Sequence, residues 1–197
     1  MKYLVLVVLI ACSPLSTQAM ATEFPIVGTQ APAFDLPDLS GAQYSLHDYL
    51  GRPVVINFWT TWCGACTYEF PVLKEFNHQY AEQVTLITIC AGRSREEAVK
   101  AVEEKGVDFL VLYDDGEIIS KTYQPPRAQD KRRIVAFPFS VFIDETGKVV
   151  YARIGTFPDV ERVVSLLQEA GLTLITPPLP SFDGSEPIEH GKKAKGA

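Results

Sequence analysis

The sequence predicts an α/β fold, a sandwich of helices around a mixed β-sheet. Three observations lead there. Val54-Val55-Ile56-Asn57-Phe58-Trp59 is an almost continuous apolar run, the pattern of a strand buried on both faces. From it to Tyr123, β-branched runs alternate with stretches of helical spacing. Beyond Pro138 two short apolar runs and one amphipathic stretch follow, giving a β-β-α ending.

Each element has its own signal. Residues 22–53 are rich in Pro and Gly and read as an extended lead-in. It contains a hairpin, with Gly41 between Phe34-Asp35-Leu36 and Tyr44-Ser45-Leu46. After the Val54–Trp59 strand, Tyr68, Val72, Leu73 and Phe76 recur at helical spacing up to about Tyr80. Val84 to Ile89 is a second β-branched run. Ser94-Arg95-Glu96-Glu97 has the form of a capping box, opening a helix that Gly106 closes. Phe109 to Tyr113 reads as a short strand and Glu117 to Tyr123 as a short helix. Phe139–Ile143 and Val149–Ile154 flank the turn signal Asp144-Glu145-Thr146-Gly147. Pro158 and Gly171 bracket the last helix, which carries Val160, Val163, Val164 and Leu167 on one face. From Thr176 onward, Pro-rich and Lys/Gly-rich sequence reads as a disordered tail over residues 176–197.

A chain of 197 residues fits one domain with tails, here expected over residues 22–175 and acting as a monomer. The net charge of −6 speaks against a nucleic-acid partner. At the N-terminus, Lys2 precedes the apolar run Tyr3–Ala11. That is far short of the ~20 residues a spanning helix needs, so residues 1–21 read as an export signal. Two processing sites compete. Ala19-Met20-Ala21 fits cleavage before Thr22, while Leu9-Ile10-Ala11-Cys12 resembles a bacterial lipobox that would leave a lipid anchor on Cys12. Either one exports the protein, to the periplasm or another extracytoplasmic space.

Export leaves Cys63, Cys66 and Cys90, an odd number and a poor basis for a structural disulfide framework. Trp62-Cys63-Gly64-Ala65-Cys66 lies where the predicted buried strand feeds a helix. A cysteine there meets unpaired backbone N–H groups and the positive end of the helix dipole, both of which favour thiolate. At an ordinary pKa near 8.5, roughly 3% of a thiol is ionised at pH 7; lowering it to about 7 ionises half. Two intervening residues bring the second sulfur one turn on, within disulfide reach, and Gly64 relieves crowding. A zinc site would want a second cysteine pair or nearby histidines, but His47, His78 and His190 are scattered. A Cu(I) chaperone using the two thiolates is the reading from another class, although Met1 and Met20 are the only methionines. No phosphate-binding glycine pattern appears, and no cofactor or metal is expected.

The run Phe58-Trp59-Thr60-Thr61-Trp62-Cys63-Gly64-Ala65-Cys66 resembles thioredoxins. Gly28-Thr29-Gln30-Ala31-Pro32-Ala33-Phe34-Asp35-Leu36, Leu50 to Trp59, and Cys66-Thr67-Tyr68-Glu69-Phe70-Pro71 resemble the TlpA/ResA-like extracytoplasmic branch. The resemblance spans about residues 26–172. It implies a thioredoxin-like fold and thiol-disulfide exchange on exported proteins, apocytochrome c being the usual substrate class, with electrons from a membrane donor. By position it makes Cys63 the nucleophile, Cys66 the resolving thiol and Pro138 the family's cis-proline. Trp62, Gly64, Ala65 and Phe137 then line the substrate groove. Asn57 stands where thioredoxins keep a buried aspartate. Glu69 matches a glutamate near the cysteines and reads either as a partly buried proton acceptor for Cys66 or as a solvated acid favoured by the dipole.

Other features stay open. Gly64-Ala65 does not separate a reductase from an oxidase or isomerase. Phe137 is bulky where many relatives carry a small residue. Cys90, ending its predicted strand, is a small buried hydrophobe or a third exchange-competent thiol. The basic run 124–133 is solvated surface or a partner-docking loop.

Overall fold

The computed structural model describes residue 24, residues 26–124 and residues 135–175. The export signal with Cys12, the tail from Thr176, and all of the basic run but Gln124 lie outside the described residues.

The fold is thioredoxin-like. A hairpin of β1 (Asp35–Pro37) and β2 (Gln43–Ser45) precedes a five-stranded sheet. Its strands are β3 (Val54–Trp59), β4 (Thr85–Gly92), β5 (Val111–Asp115), β6 (Phe139–Ile143) and β7 (Val149–Ile154), in spatial order β5-β4-β3-β6-β7. β3 runs parallel to β4, and β4 to β5, whereas β6 and β7 are antiparallel. Helices α1 (Gly64–Tyr68), α2 (Phe70–Tyr80), α3 (Arg95–Lys105), α4 (Ile118–Tyr123) and α5 (Val160–Glu169) complete it.

All six residues of β3 are buried, as the unbroken apolar run predicts. The pleat sends Val55 and Trp59 into one core with Leu73, Phe76 and Leu167, and Val54, Ile56 and Phe58 into another with Tyr123, Phe139 and Phe24. A strand inside a covered sheet is apolar on both faces, as in β6, where all five residues are also buried. Local chemistry pins the turns: Asp38 Oδ1 accepts from the N–H groups of Ser40, Gly41 and Ala42, and Gly41 takes φ +105°. Asp144 Oδ1 does the same for Thr146 and Lys148. At α3, Ser94 Oγ accepts from Glu97 N–H and Gly106 ends the helix in the left-handed region.

Three boundaries differ from the sequence reading, and the kink that the resemblance implies at Pro71 is a full break. The helix after the cysteines is two helices, broken at Glu69, because Pro71 offers no N–H to the Thr67 carbonyl. The second strand runs on to Gly92, since Cys90, Ala91 and Gly92 find partners in Tyr113, Asp114 and Asp115. The third begins two residues late, leaving Phe109 as a buried loop residue. Pro158 lies outside the last helix, which is capped by Asp159 Oδ1 accepting from Arg162 N–H at 2.7 Å.

Candidate active site

β3, β4 and β5 deliver their carboxyl ends to one edge of the sheet, where loops of α/β proteins carry function. The chain leaving β3 turns there, with Cys63 N–H donating to Thr60 O, and starts α1 at Gly64. Cys63 is the N-cap. Its Sγ accepts from Cys66 N–H at 3.2 Å, one of the otherwise orphaned donors of the helix start. Cys63 and Cys66 form a disulfide with Cα atoms 5.3 Å apart, inside the usual range for such a bond. The two sulfur residues are unequal in access: Cys63 is 8% exposed and Cys66 0%. Gly64 and Ala65 are exposed beside them.

The flanking aromatics form an open face. Trp62 is 71% exposed and packs edge-to-face on half-buried Phe137, ring centroids 5.9 Å apart. This contact lays the segment Phe137–Pro138, whose peptide is cis, against the cysteine loop. Gln124 supports that segment from behind: its carboxamide accepts from Ala136 N–H at 2.7 Å and donates to Ala136 O at 3.1 Å. Trp59, by contrast, is wholly buried and edge-on to Phe70.

Glu69 is completely buried at the break between α1 and α2, so a solvated surface acid is excluded. Its Oε1 accepts from Asn57 Nδ2 at 2.8 Å and its Oε2 from Phe157 N–H at 3.0 Å. Asn57 Nδ2 also reaches Ser140 Oγ at 3.1 Å. Loss of hydration pushes the Glu69 carboxyl up to about 7, against the pull of both donors and of the Arg153 guanidinium. Half of it is therefore ionised near neutral pH. Cys90 is buried inside β4 between Trp59 and Tyr113. Burial first, then Asp114 and Glu97, pushes its thiol up to about 12, which favours the small-hydrophobe reading. Among the described residues, no three His, Cys, Asp or Glu side chains cluster to hold a metal ion.

Sequence reasoning missed Arg153 and the Phe157 amide beside Glu69, and Ser140 beside its partner Asn57. A signal for Ser140 existed, a lone hydroxyl inside an apolar strand, but only the register Asn57↔Ser140 shows whom it serves.

Fold and site together define a thioredoxin-like protein whose chemistry resides in a closable dithiol. The Redoxin family model matches residues 26–167, and the chain belongs to that family. It is 34% identical over 125 residues to the thiol-disulfide oxidoreductase ResA of Bacillus thuringiensis, covering 63% of this chain and 67% of that protein. ResA of Geobacillus kaustophilus is 32% identical over 139 residues, covering 69% and 75%. Of solved structures, the thioredoxin domain of a Bacteroides vulgatus thiol-disulfide oxidoreductase superposes with TM-score 0.58 at 27% identity, covering 72% of this chain and 96% of that one. The exposed lipoprotein thioredoxin Etrx1 of Streptococcus pneumoniae gives 0.56 at 26%, covering 70% and 99%. The protein is a thiol-disulfide oxidoreductase of the ResA type.

Proposed function

We propose that this oxidoreductase works outside the cytoplasm as a reductase of disulfides in exported proteins, among them those of apocytochrome c, whose cysteines must be thiols to receive haem. A membrane partner would supply its electrons. The observation that carries the reading is the asymmetry of the pair: Cys63 reaches solvent at the helix start, while Cys66 is sealed, one turn from the buried Glu69. The short apolar run at residues 3–11 supports export, as does the likeness to an exposed lipoprotein thioredoxin. Among the described residues no helix is long and apolar enough to cross a membrane.

In the proposed cycle, the Cys63 thiolate attacks one substrate sulfur. A Cys63–substrate disulfide forms, the substrate bond breaks, and the displaced thiolate takes a proton from water. Cys66 then passes its thiol proton to the Glu69 carboxylate and attacks the Cys63 sulfur. This closes the Cys63–Cys66 disulfide and frees the second substrate thiolate. Two electrons move from protein dithiol to substrate. The cis segment Phe137–Pro138, with Trp62, Gly64 and Ala65, would hold the substrate chain beside Cys63.

Cys66→Ser should accumulate mixed disulfides in cells and Cys63→Ser none; the opposite pattern refutes the assignment of roles. A reduction potential near −270 mV or below fits a reductase, and one of about −180 mV or above makes the protein an oxidant or isomerase.

A further inference from the structure

The Asn57 side chain is fully buried in the middle of β3, yet only one end of its carboxamide is hydrogen-bonded. Nδ2 donates to Glu69 Oε1 and to Ser140 Oγ, whereas Oδ1 has no partner. A buried carboxamide is ordinarily locked by partners at both ends, because its nitrogen only donates and its oxygen only accepts. This one is held only at its nitrogen, and only while those two groups accept. Half a turn about its last side-chain bond exchanges oxygen and nitrogen within nearly the same volume.

Glu69 gives that freedom a use. In the observed arrangement both carboxylate oxygens face N–H donors, which suits the anion. Protonation then finds no acceptor for the acid hydrogen. Opposite Oε2 stands the backbone N–H of Phe157, which cannot turn. Opposite Oε1 stands Asn57, which can. Ser140 adapts to either orientation, since a hydroxyl donates as well as accepts. The other charge acting on Glu69 is the Arg153 guanidinium of β7, which favours the anion and lies over the Phe157 ring, 4.7 Å from its centroid; Cys66 precedes Glu69 by one turn of chain.

We infer that Asn57 is a positioning residue that switches between two orientations, donating from Nδ2 to the Glu69 carboxylate and accepting at Oδ1 from the Glu69 carboxylic acid. The inference rests on the reading that Glu69 receives the Cys66 proton. It adds that the proton sits on Oε1 and that its arrival turns the carboxamide. A buried site thus accepts and releases a proton while Glu69 keeps a hydrogen bond at each oxygen. No atom is oxidised in this step; the proton leaves the Cys66 sulfur, bonds to Oε1, and later passes to solvent.

The test is nuclear magnetic resonance on the full oxidised chain, following the Glu69 carboxyl carbon and the Asn57 side-chain amide from pH 5 to pH 9. At pH 9 the Asn57 Nδ2 protons should show close contacts to the Ser140 methylene. At pH 5 those contacts should vanish, with the midpoint of the Glu69 titration. Unchanged contacts across a completed Glu69 titration overturn the switch and leave Glu69 as proton acceptor. A Glu69 carboxyl that does not titrate in this range overturns that earlier reading, and the switch with it. Asn57→Leu, which can neither donate nor accept, should move the Glu69 midpoint up by about one pH unit, leaving about fivefold less carboxylate at pH 7. Release of a trapped substrate by Cys66 should slow to match. An unmoved midpoint in this variant also overturns the inference.

Discussion

Replacing Glu69 by glutamine should change how stability depends on pH more than stability itself. Glutamine keeps the shape of the side chain and one carbonyl oxygen but cannot ionise. In the folded protein the Glu69 carboxyl titrates at about 7, against 4.5 for an ordinary glutamate. The folded state therefore holds a proton that the unfolded chain has already released. The sign follows from that: stability from this group is fully present below pH 4.5 and is lost as pH rises through 7. A gap of about 2.5 pH units corresponds to roughly 3 kcal/mol, at about 1.4 kcal/mol per unit. Glu69→Gln has no such slope. Whatever the exchange of contacts to Asn57 and Phe157 costs, that cost is common to every pH. Between pH 4 and pH 8 the variant should thus gain about 3 kcal/mol relative to the parent. The assay is urea unfolding of both oxidised proteins at several pH values, read as the difference in free energy. All other ionisable groups are shared and drop out. A difference that stays flat, or moves in favour of the parent at high pH, would refute the claim that desolvation dominates at Glu69.

Two further outcomes follow from the site. Cys90, buried and pushed up to about 12, should resist alkylation in the folded oxidised protein at pH 8 and react only on unfolding. Labelling of the Cys90 peptide at the rate of an unfolded thiol would show that β4 opens. Phe137→Thr removes one half of the edge-to-face contact with Trp62, a type of pair worth about 0.5–1.5 kcal/mol. If the Phe137 ring also meets substrate, losing about 1 kcal/mol of apolar contact should raise the KM for disulfides flanked by apolar residues about fivefold, with a small polar disulfide unaffected. An equal loss for both substrates would mean that the ring shapes the site rather than touching the substrate.

The architecture was legible because its determinants are local or periodic. The run Val54–Trp59 is apolar at every position but Asn57, the pattern of a strand inside a sheet covered on both faces. Asp38, Ser94, Gly106 and Asp144 announce their turns and caps through bonds to backbone groups within four residues. The Cys63–Cys66 pair was likewise readable, since its chemistry depends on spacing and on a strand-to-helix junction, both written in consecutive residues. The break at Glu69 is local too, following from the amide missing at Pro71, whereas the extension of β4 needs partners from β5, 23 residues on.

What consecutive residues do not carry is the environment of a charge. Only the family resemblance favoured Glu69 as a proton acceptor over a solvated acid, because an isolated glutamate has one pKa and the helix alone does not bury it. Its burial comes from Asn57 on β3, Ser140 on β6 and the Phe157 amide after β7, brought together across 12, 71 and 88 residues of chain. Desolvation is a property of everything surrounding a group, and a carboxyl is shifted only once all its walls are in place. The sequence by itself therefore determined the Cys63–Cys66 pair and its place in the fold; tertiary packing alone decided the environment of the Glu69 carboxyl.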